Sequence, residues 1–150
     1  LDNAAKKAAA FANQSNLFSL GDDSGLEVKA LDGAPGIYSA RFSPLPGAND
    51  KDRRDYLLEQ LQEHPKPWSA RFHCTVVLAA PGGVTRSADG ECAGEIISDE
   101  RGNSGFGYDP IFLVPGLGKT MAELEMNEKN QISHRARAIK ALWPVLVEKF

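Results

Sequence analysis

Apolar and polar positions alternate along this chain in two rhythms, and each rhythm predicts an element. Residues 3–13 are alanine-rich, with Lys6 and Lys7, and read as a helix by propensity. The apolar run 17–20 stops at Gly21-Asp22-Asp23-Ser24-Gly25, a turn composition. Leu26, Val28 and Ala30 then alternate with Glu27 and Lys29, the period of a half-buried strand. Gly33-Ala34-Pro35-Gly36 reads as a loop. Asn49 or Asp50 can cap a helix over 51–63, with Tyr56, Leu57 and Leu61 on its inner face and Gln60 as a further candidate. Residues 71–80 form a strand pattern with Phe72, Cys74 and Val76 on one face. Pro81-Gly82-Gly83 turns that strand into a second around 84–87, and 91–97 predicts a further one. Residues 101–109 hold three glycines, enough to read as a loop, and feed the apolar run 111–114. The last helix spans 127–150, with Ile132, Ala136, Ile139 and Leu142 at helical spacing. Pro144 lacks the N–H the ladder needs, so a kink or an end is expected there. This order predicts a single α/β or α+β domain over 1–150, built on a mixed sheet.

Composition narrows the class. A chain of 150 residues, 42% hydrophobic and 25% charged, suits a soluble domain with its own core. The apolar runs are too short to span a bilayer, and no basic stretch followed by an apolar one marks a signal peptide. Net charge is −3, whereas a protein that neutralises many phosphates carries a basic excess, so nucleic-acid polymers are not expected partners. A small anion needs only a local positive cluster. Lys129, His134, Arg135, Arg137 and Lys140 supply one in a segment without acids. Cys74 and Cys92 have no metal-ligand spacing and read as buried small hydrophobes in a reducing compartment, the cytosol.

Three motifs carry candidate chemistry. A carboxylate in Asp22-Asp23-Ser24-Gly25 can hold Mg²⁺, which prefers hard oxygen ligands, or take a proton from water. An Asx-type turn is the structural alternative. Adjacent strand residues point to opposite faces, so one aspartate of the two is expected to face a cleft. In Ser104-Gly105-Phe106-Gly107-Tyr108-Asp109-Pro110, two glycines let a ligand approach the backbone, and Phe106 and Tyr108 offer flat faces for a nucleobase. The alternative is a glycine turn whose aromatics fill core. In Ser133-His134-Arg135, histidine and arginine can donate to a carbonyl-bearing base edge or a phosphate, or else belong to a solvated helix face.

Taken together these motifs resemble one family. Asp2-Asn3-Ala4 with Lys7, Asp22-Asp23-Ser24-Gly25-Leu26, and Gly33-Ala34-Pro35-Gly36-Ile37-Tyr38-Ser39-Ala40-Arg41 come in its order. Gly105-Phe106-Gly107-Tyr108-Asp109-Pro110-Ile111-Phe112 and Glu128-Lys129-Asn130-Gln131-Ile132-Ser133-His134-Arg135 continue it. They are similar to the inosine triphosphate pyrophosphatases, also described as dITP/XTP pyrophosphatases, over residues 2–142. The resemblance implies an elongated α/β domain with a long mixed sheet, a homodimer in the full-length form and Mg²⁺ as cofactor, in the cytoplasmic setting that the cysteines already suggest. It implies hydrolysis of ITP, dITP or XTP to the monophosphate and pyrophosphate. Asp23 resembles the general base and metal carboxylate, Lys7 a phosphate contact, and Ser24 a substrate contact. Phe106, Gly107, Tyr108 and Asp109 resemble the base-binding loop, and Lys129, His134 and Arg135 base and ribose-phosphate contacts.

The family's T/S-G-N-x-x-K loop, with its preceding strand, and an upstream metal-binding glutamate have no counterpart here. Leu1 falls within the family's second helix, Asp2 stands where Glu is usual, and Glu125 replaces a Ser or Thr cap. The expectation that follows is a chain lacking its N-terminal phosphate-binding segment. Its alternative function is purine-nucleotide binding without hydrolysis. A septum-inhibitor-type pyrophosphatase acting on modified pyrimidines has a similar fold, but His134-Arg135 and the 105–109 loop argue against it.

Overall fold

A computed structural model describes residues 2–149, apart from the side chains of residues 2, 84, 85 and 149. The helices are α1 (Asp2–Ser15), α2 (Asp50–Leu61), α3 (Met126–Ile132) and α4 (His134–Lys149). The strands are β1 (Ser19–Val28), β2 (Pro35–Gly36), β3 (Trp68–Ala80), β4 (Gly83–Ile96), β5 (Phe112–Val114) and β6 (Lys119–Thr120). They form one sheet in the order β2-β1-β3-β4-β5-β6. Leu26 stands opposite Gly36, Ile96 opposite Phe112, and Leu113 opposite Thr120, each in an antiparallel pair. The expected α/β class is met, but the described strand pairs are antiparallel where a mixed sheet was expected, because a connection as short as 115–118, between β5 and β6, leaves no room for a parallel crossover. Among the described residues no helix is long and apolar enough to cross a membrane.

By contacts the chain divides into two compact units. Among the described residues one comprises residues 2–24, His73–Glu91 and 131–149; the other comprises Gly25–Phe72 and Cys92–Asn130. In the first unit β3 is buried on both faces. Val77 and Ala79 pack with Ala4, Ala8 and Ala12 of α1. Cys74, Val76 and Leu78 pack with Ala138 and Leu142 of α4. The strand period of two thus hands alternate residues to two different helices. Small residues let both helices lie close. A Cβ on Gly21 would stand 2.6 Å from the Ala4 carbonyl oxygen, and one on Gly90 would collide with the His134 carbonyl.

In the second unit Asn49 caps α2. Its side chain accepts the Asp52 N–H, and the Asp52 carboxylate accepts the Asn49 N–H, each at 2.9 Å. Leu57 and Leu61 are the residues α2 buries. Phe72 and Phe112 meet with ring centroids 4.4 Å apart.

Several expectations are corrected. Gly21-Asp22-Asp23-Ser24-Gly25 is no turn: it lies inside the ten-residue β1. Its glycines serve close approach, Gly21 to α1 and Gly25 to the Gly36 carbonyl, 2.5 Å from where a Cβ would sit. Ala30 belongs to a 3-10 turn, Lys29–Leu31, rather than the strand, and Pro35–Gly36 forms a short strand where a loop was expected. The stretches around 84–87 and 91–97 are one strand, and the side chains of residues 84 and 85 lie outside the described ones. Gln60 is exposed. The last helix is two, parted at Ser133, whose Oγ accepts the Ala136 N–H at 3.2 Å as a capping serine does. That restart shifts the buried face to Ala138 and Leu142, leaving Ile139 40% exposed. Pro144 lies inside α4 without ending it. The expected end at Phe150, and Leu1 at the other terminus, lie outside the described residues.

Candidate functional site

In the first unit, β1 presents Asp22, Asp23 and Ser24 on successive positions, so neighbouring side chains leave opposite faces. Asp22 is committed: Arg135 donates to its Oδ2 from Nε at 2.9 Å and from Nη2 at 2.8 Å. Asp23 is held loosely. Lys7 Nζ stands 3.8 Å from Oδ1 and Asn3 Nδ2 3.5 Å from Oδ2, both long for charge-assisted bonds. Asn3 and Lys7 share one helical stripe, each a residue before a buried alanine of α1, so the seam that seats the helix also aims them at Asp23. Lys7 Nζ also donates to the Asp22 carbonyl at 3.4 Å. A carboxylate gripped this weakly beside a cation keeps lone pairs for a water or a hard metal ion.

Ser24 Oγ is buried and makes no hydrogen bond of good geometry among the described residues. It is close enough to Cys74 to oppose the burial that pushes that thiol's pKa up. A thiol is a weak hydrogen-bond partner, so Ser24 Oγ stays poorly satisfied. His134 is nearly buried in the first turn of α4, and Arg135 beside it is half exposed. The first unit therefore gathers Lys7, Asp23 and Arg135 around one strand. The partnership of Asp22 with Arg135, across 113 positions, gave no local signal in sequence.

In the second unit the loop 104–109 is held from several sides. Gly105 and Gly107 have φ of +80° and +61°, the left-handed region that glycine enters without strain. Phe106 is 63% exposed, and Lys129 Nζ lies 5.5 Å from its ring centroid. Asp109 is buried: its Oδ2 accepts from Lys129 Nζ at 2.6 Å and from the Phe106 N–H at 3.1 Å. Tyr108 is 4% exposed and its hydroxyl donates to the Ser39 carbonyl at 2.8 Å. Burial pushes the Tyr108 phenol well above its ordinary pKa, so it stays a neutral donor. The flat face expected of Tyr108 is thus core, while Phe106 is exposed.

Two residues of α2, of which Asp50 reads in the sequence only as a helix cap and Arg54 carries no local signal, hold the loop as well. Asp50 Oδ2 accepts the Gly107 N–H at 2.8 Å, and Arg54 Nη1 donates to the Gly107 carbonyl at 2.8 Å. The Gly107 N–H, then Arg53, hold the Asp50 carboxyl below its ordinary pKa. Arg54 does the same for Glu100, bonding it at 2.8 and 3.1 Å.

Among the described residues no three His, Cys, Asp or Glu side chains gather as a metal cluster. Asp23 does suit Mg²⁺, which takes one or two carboxylates with waters and substrate phosphates rather than an all-protein cage.

A family model described as the Ham1 family matches residues 1–145. A dITP/XTP pyrophosphatase of Gloeobacter violaceus is 51% identical over 141 residues, covering 94% of this chain and 70% of that protein. One from Desulforamulus reducens is 47% identical over 146 residues, covering 97% and 72%. The solved Ham1 protein of Staphylococcus aureus superposes with a TM-score of 0.87 at 42% identity, covering 99% of this chain and 77% of that one. That of Coxiella burnetii gives 0.88 at 42% identity, covering 98% and 76%.

Proposed function

The chain belongs to the Ham1 family, and we propose that it hydrolyses non-standard purine nucleoside triphosphates (ITP, dITP and XTP) to the monophosphate and pyrophosphate. The observation that carries this reading is the contrast on β1: Asp22 locked by Arg135, Asp23 loosely held beside Lys7. Asp23 is the general base. It takes a proton from a water whose oxygen bonds to the α-phosphorus, while the bond to the β-phosphate bridge breaks and pyrophosphate leaves with the electron pair. Lys7 offsets charge on the phosphates and Arg135 contacts the substrate, while Ser24, with its Oγ buried, supports the strand that carries Asp23. Asp23 would hold a Mg²⁺ ion, which would supply Lewis-acid stabilisation of the developing charge.

Phe106 offers its face to the purine, with Gly107, Asp109 and Lys129 keeping the loop in form. Tyr108 serves the same loop from beneath. His134 and Arg135 supply donors suited to a 6-oxo purine. Adenine places an amino donor there, and leaving such donors without an acceptor costs roughly 1–3 kcal/mol each. A homodimer in the cytoplasm completes the reading. The family resemblance supports the first, and two buried thiols without a disulfide fit the second.

The test is pyrophosphate release from ITP, coupled to inorganic pyrophosphatase. Asp23→Asn should lower kcat by about 10²–10⁴, the range general-base removal costs, while ITP still raises the melting temperature. Full turnover in Asp23→Asn would refute the assignment of the base. ITP binding with no pyrophosphate formed by the unaltered chain would instead favour a nucleotide-binding role.

A further inference from the structure

We propose that Asp50 and Arg54 of α2 are positioning residues that set the Phe106 loop by gripping both ends of what Gly107 offers, its N–H and its carbonyl. This rests on the reading of that loop as the purine-stacking element.

The geometry is specific. Asp50 accepts the N–H and Arg54 donates to the carbonyl, both at 2.8 Å, so one helix turn clamps one glycine from two directions. Each clamp is itself held. Arg53 Nη2 donates to Asp50 Oδ1 at 2.7 Å, and its Nη1 donates to the Ala48 carbonyl at 2.7 Å. Glu100 holds the Arg54 guanidinium through two nitrogens, and the Arg54 side chain is 11% exposed. The residue gripped has a left-handed φ of +61°, a conformation that an ungripped glycine leaves readily. Its neighbour on one side is Phe106, exposed; on the other it is Tyr108, buried. Fixing the peptide between them fixes which aromatic faces outward. Arg54 is suited to this because a guanidinium can bond a carboxylate through two nitrogens and still donate a third N–H to a carbonyl, which lysine cannot do in the same plane.

A clamp of this kind acts on base binding and leaves the phosphate chemistry alone. Arg54→Ala should raise the KM for ITP about tenfold, the loss of one charged hydrogen bond's worth of order, with kcat within about twofold of the parent. Calorimetry should show IMP binding weakened to the same degree and pyrophosphate binding unchanged. Glu100→Gln, which loosens Arg54 without removing it, should fall between, and Arg54→Lys should restore part of the affinity. If Arg54→Ala does not fold, Glu100→Gln and Arg54→Lys decide by the same split. Equal loss of IMP and pyrophosphate binding would mark a general structural fault and overturn the proposal, as would unchanged IMP binding in a folded variant. If the unaltered chain binds pyrophosphate but not IMP, the purine-stacking reading itself fails and this proposal falls with it. If it binds IMP but releases no pyrophosphate from ITP, the hydrolytic reading fails while the IMP comparison still tests the clamp.

Discussion

Two adjacent carboxylates, Asp22 and Asp23, differ in role because a strand sends them to opposite faces, one toward Arg135 and one toward Lys7 and Asn3. The same division separates Phe106 from Tyr108, outward ring from buried ring, on either side of a clamped glycine. Tyr108 gives a prediction with a sign. Its burial raises the folded-state pKa above the ordinary phenol value of about 10. The folded state therefore keeps this proton where the unfolded chain has released it. The stabilisation is full below pH ~10 and is lost as pH climbs from there toward the folded value. Urea titrations should show stability falling more steeply above pH ~10 in the parent than in Tyr108→Phe. At neutral pH, Tyr108→Phe should cost roughly 1–3 kcal/mol by stranding the Ser39 carbonyl. Asp50 runs the other way: its lowered pKa stabilises above the ordinary carboxylate range and that contribution disappears as pH falls through the folded value.

At the level of elements, contact between helix and sheet in the first unit depends on what is absent from the side chains. Ala4, Ala8 and Ala12 form a flat seam on α1, and Gly21 leaves room for the Ala4 carbonyl where any Cβ would intrude. Ala8→Leu should therefore destabilise by about 1–3 kcal/mol through overpacking, read from denaturant midpoints. It should also lower turnover by moving Lys7, one residue away, from Asp23. Pro144 makes the opposite case. It sits inside α4, where it removes a ladder bond, so Pro144→Ala should raise the melting temperature, with the helix unchanged by circular dichroism.

For the molecule as a whole, the candidate residues are shared out: Lys7, Asp23, Ser24, His134 and Arg135 in one compact unit, Phe106, Gly107, Tyr108, Asp109 and Lys129 in the other. The chain spans about 70% of the length of the curated relatives it matches. Its activity is therefore best measured against binding in the same preparation. Chelation with EDTA should abolish pyrophosphate release, and added Mg²⁺ should restore it, since one carboxylate leaves most of a metal's coordination to water and phosphate. Turnover that survives exhaustive chelation would remove the metal from the proposal. Saturating ITP should stabilise the chain more than equal ATP in thermal melts, because the discrimination resides in binding donors as well as in the chemical step.

Local rules read directly from the chain located α1, the Asn49 cap, β3 with its alternating face, and the motifs that place the chain in its family. Helix propensity, capping and period-two patterning act over a few residues, so a sequence displays them openly. Other features were decided by partners far away. The glycines around Asp22 and Asp23 spell a turn to any local rule, yet they lie in a strand because α1 and Gly36 press against them. The long strand β4 looked like two because Gly90 interrupts its pattern, and that glycine is there for the α4 backbone. Whether Asp22 or Asp23 stays available, and whether Phe106 or Tyr108 faces outward, depends on Arg135 and on Asp50 and Arg54. Those partners are brought within reach only when the distant parts of the chain pack.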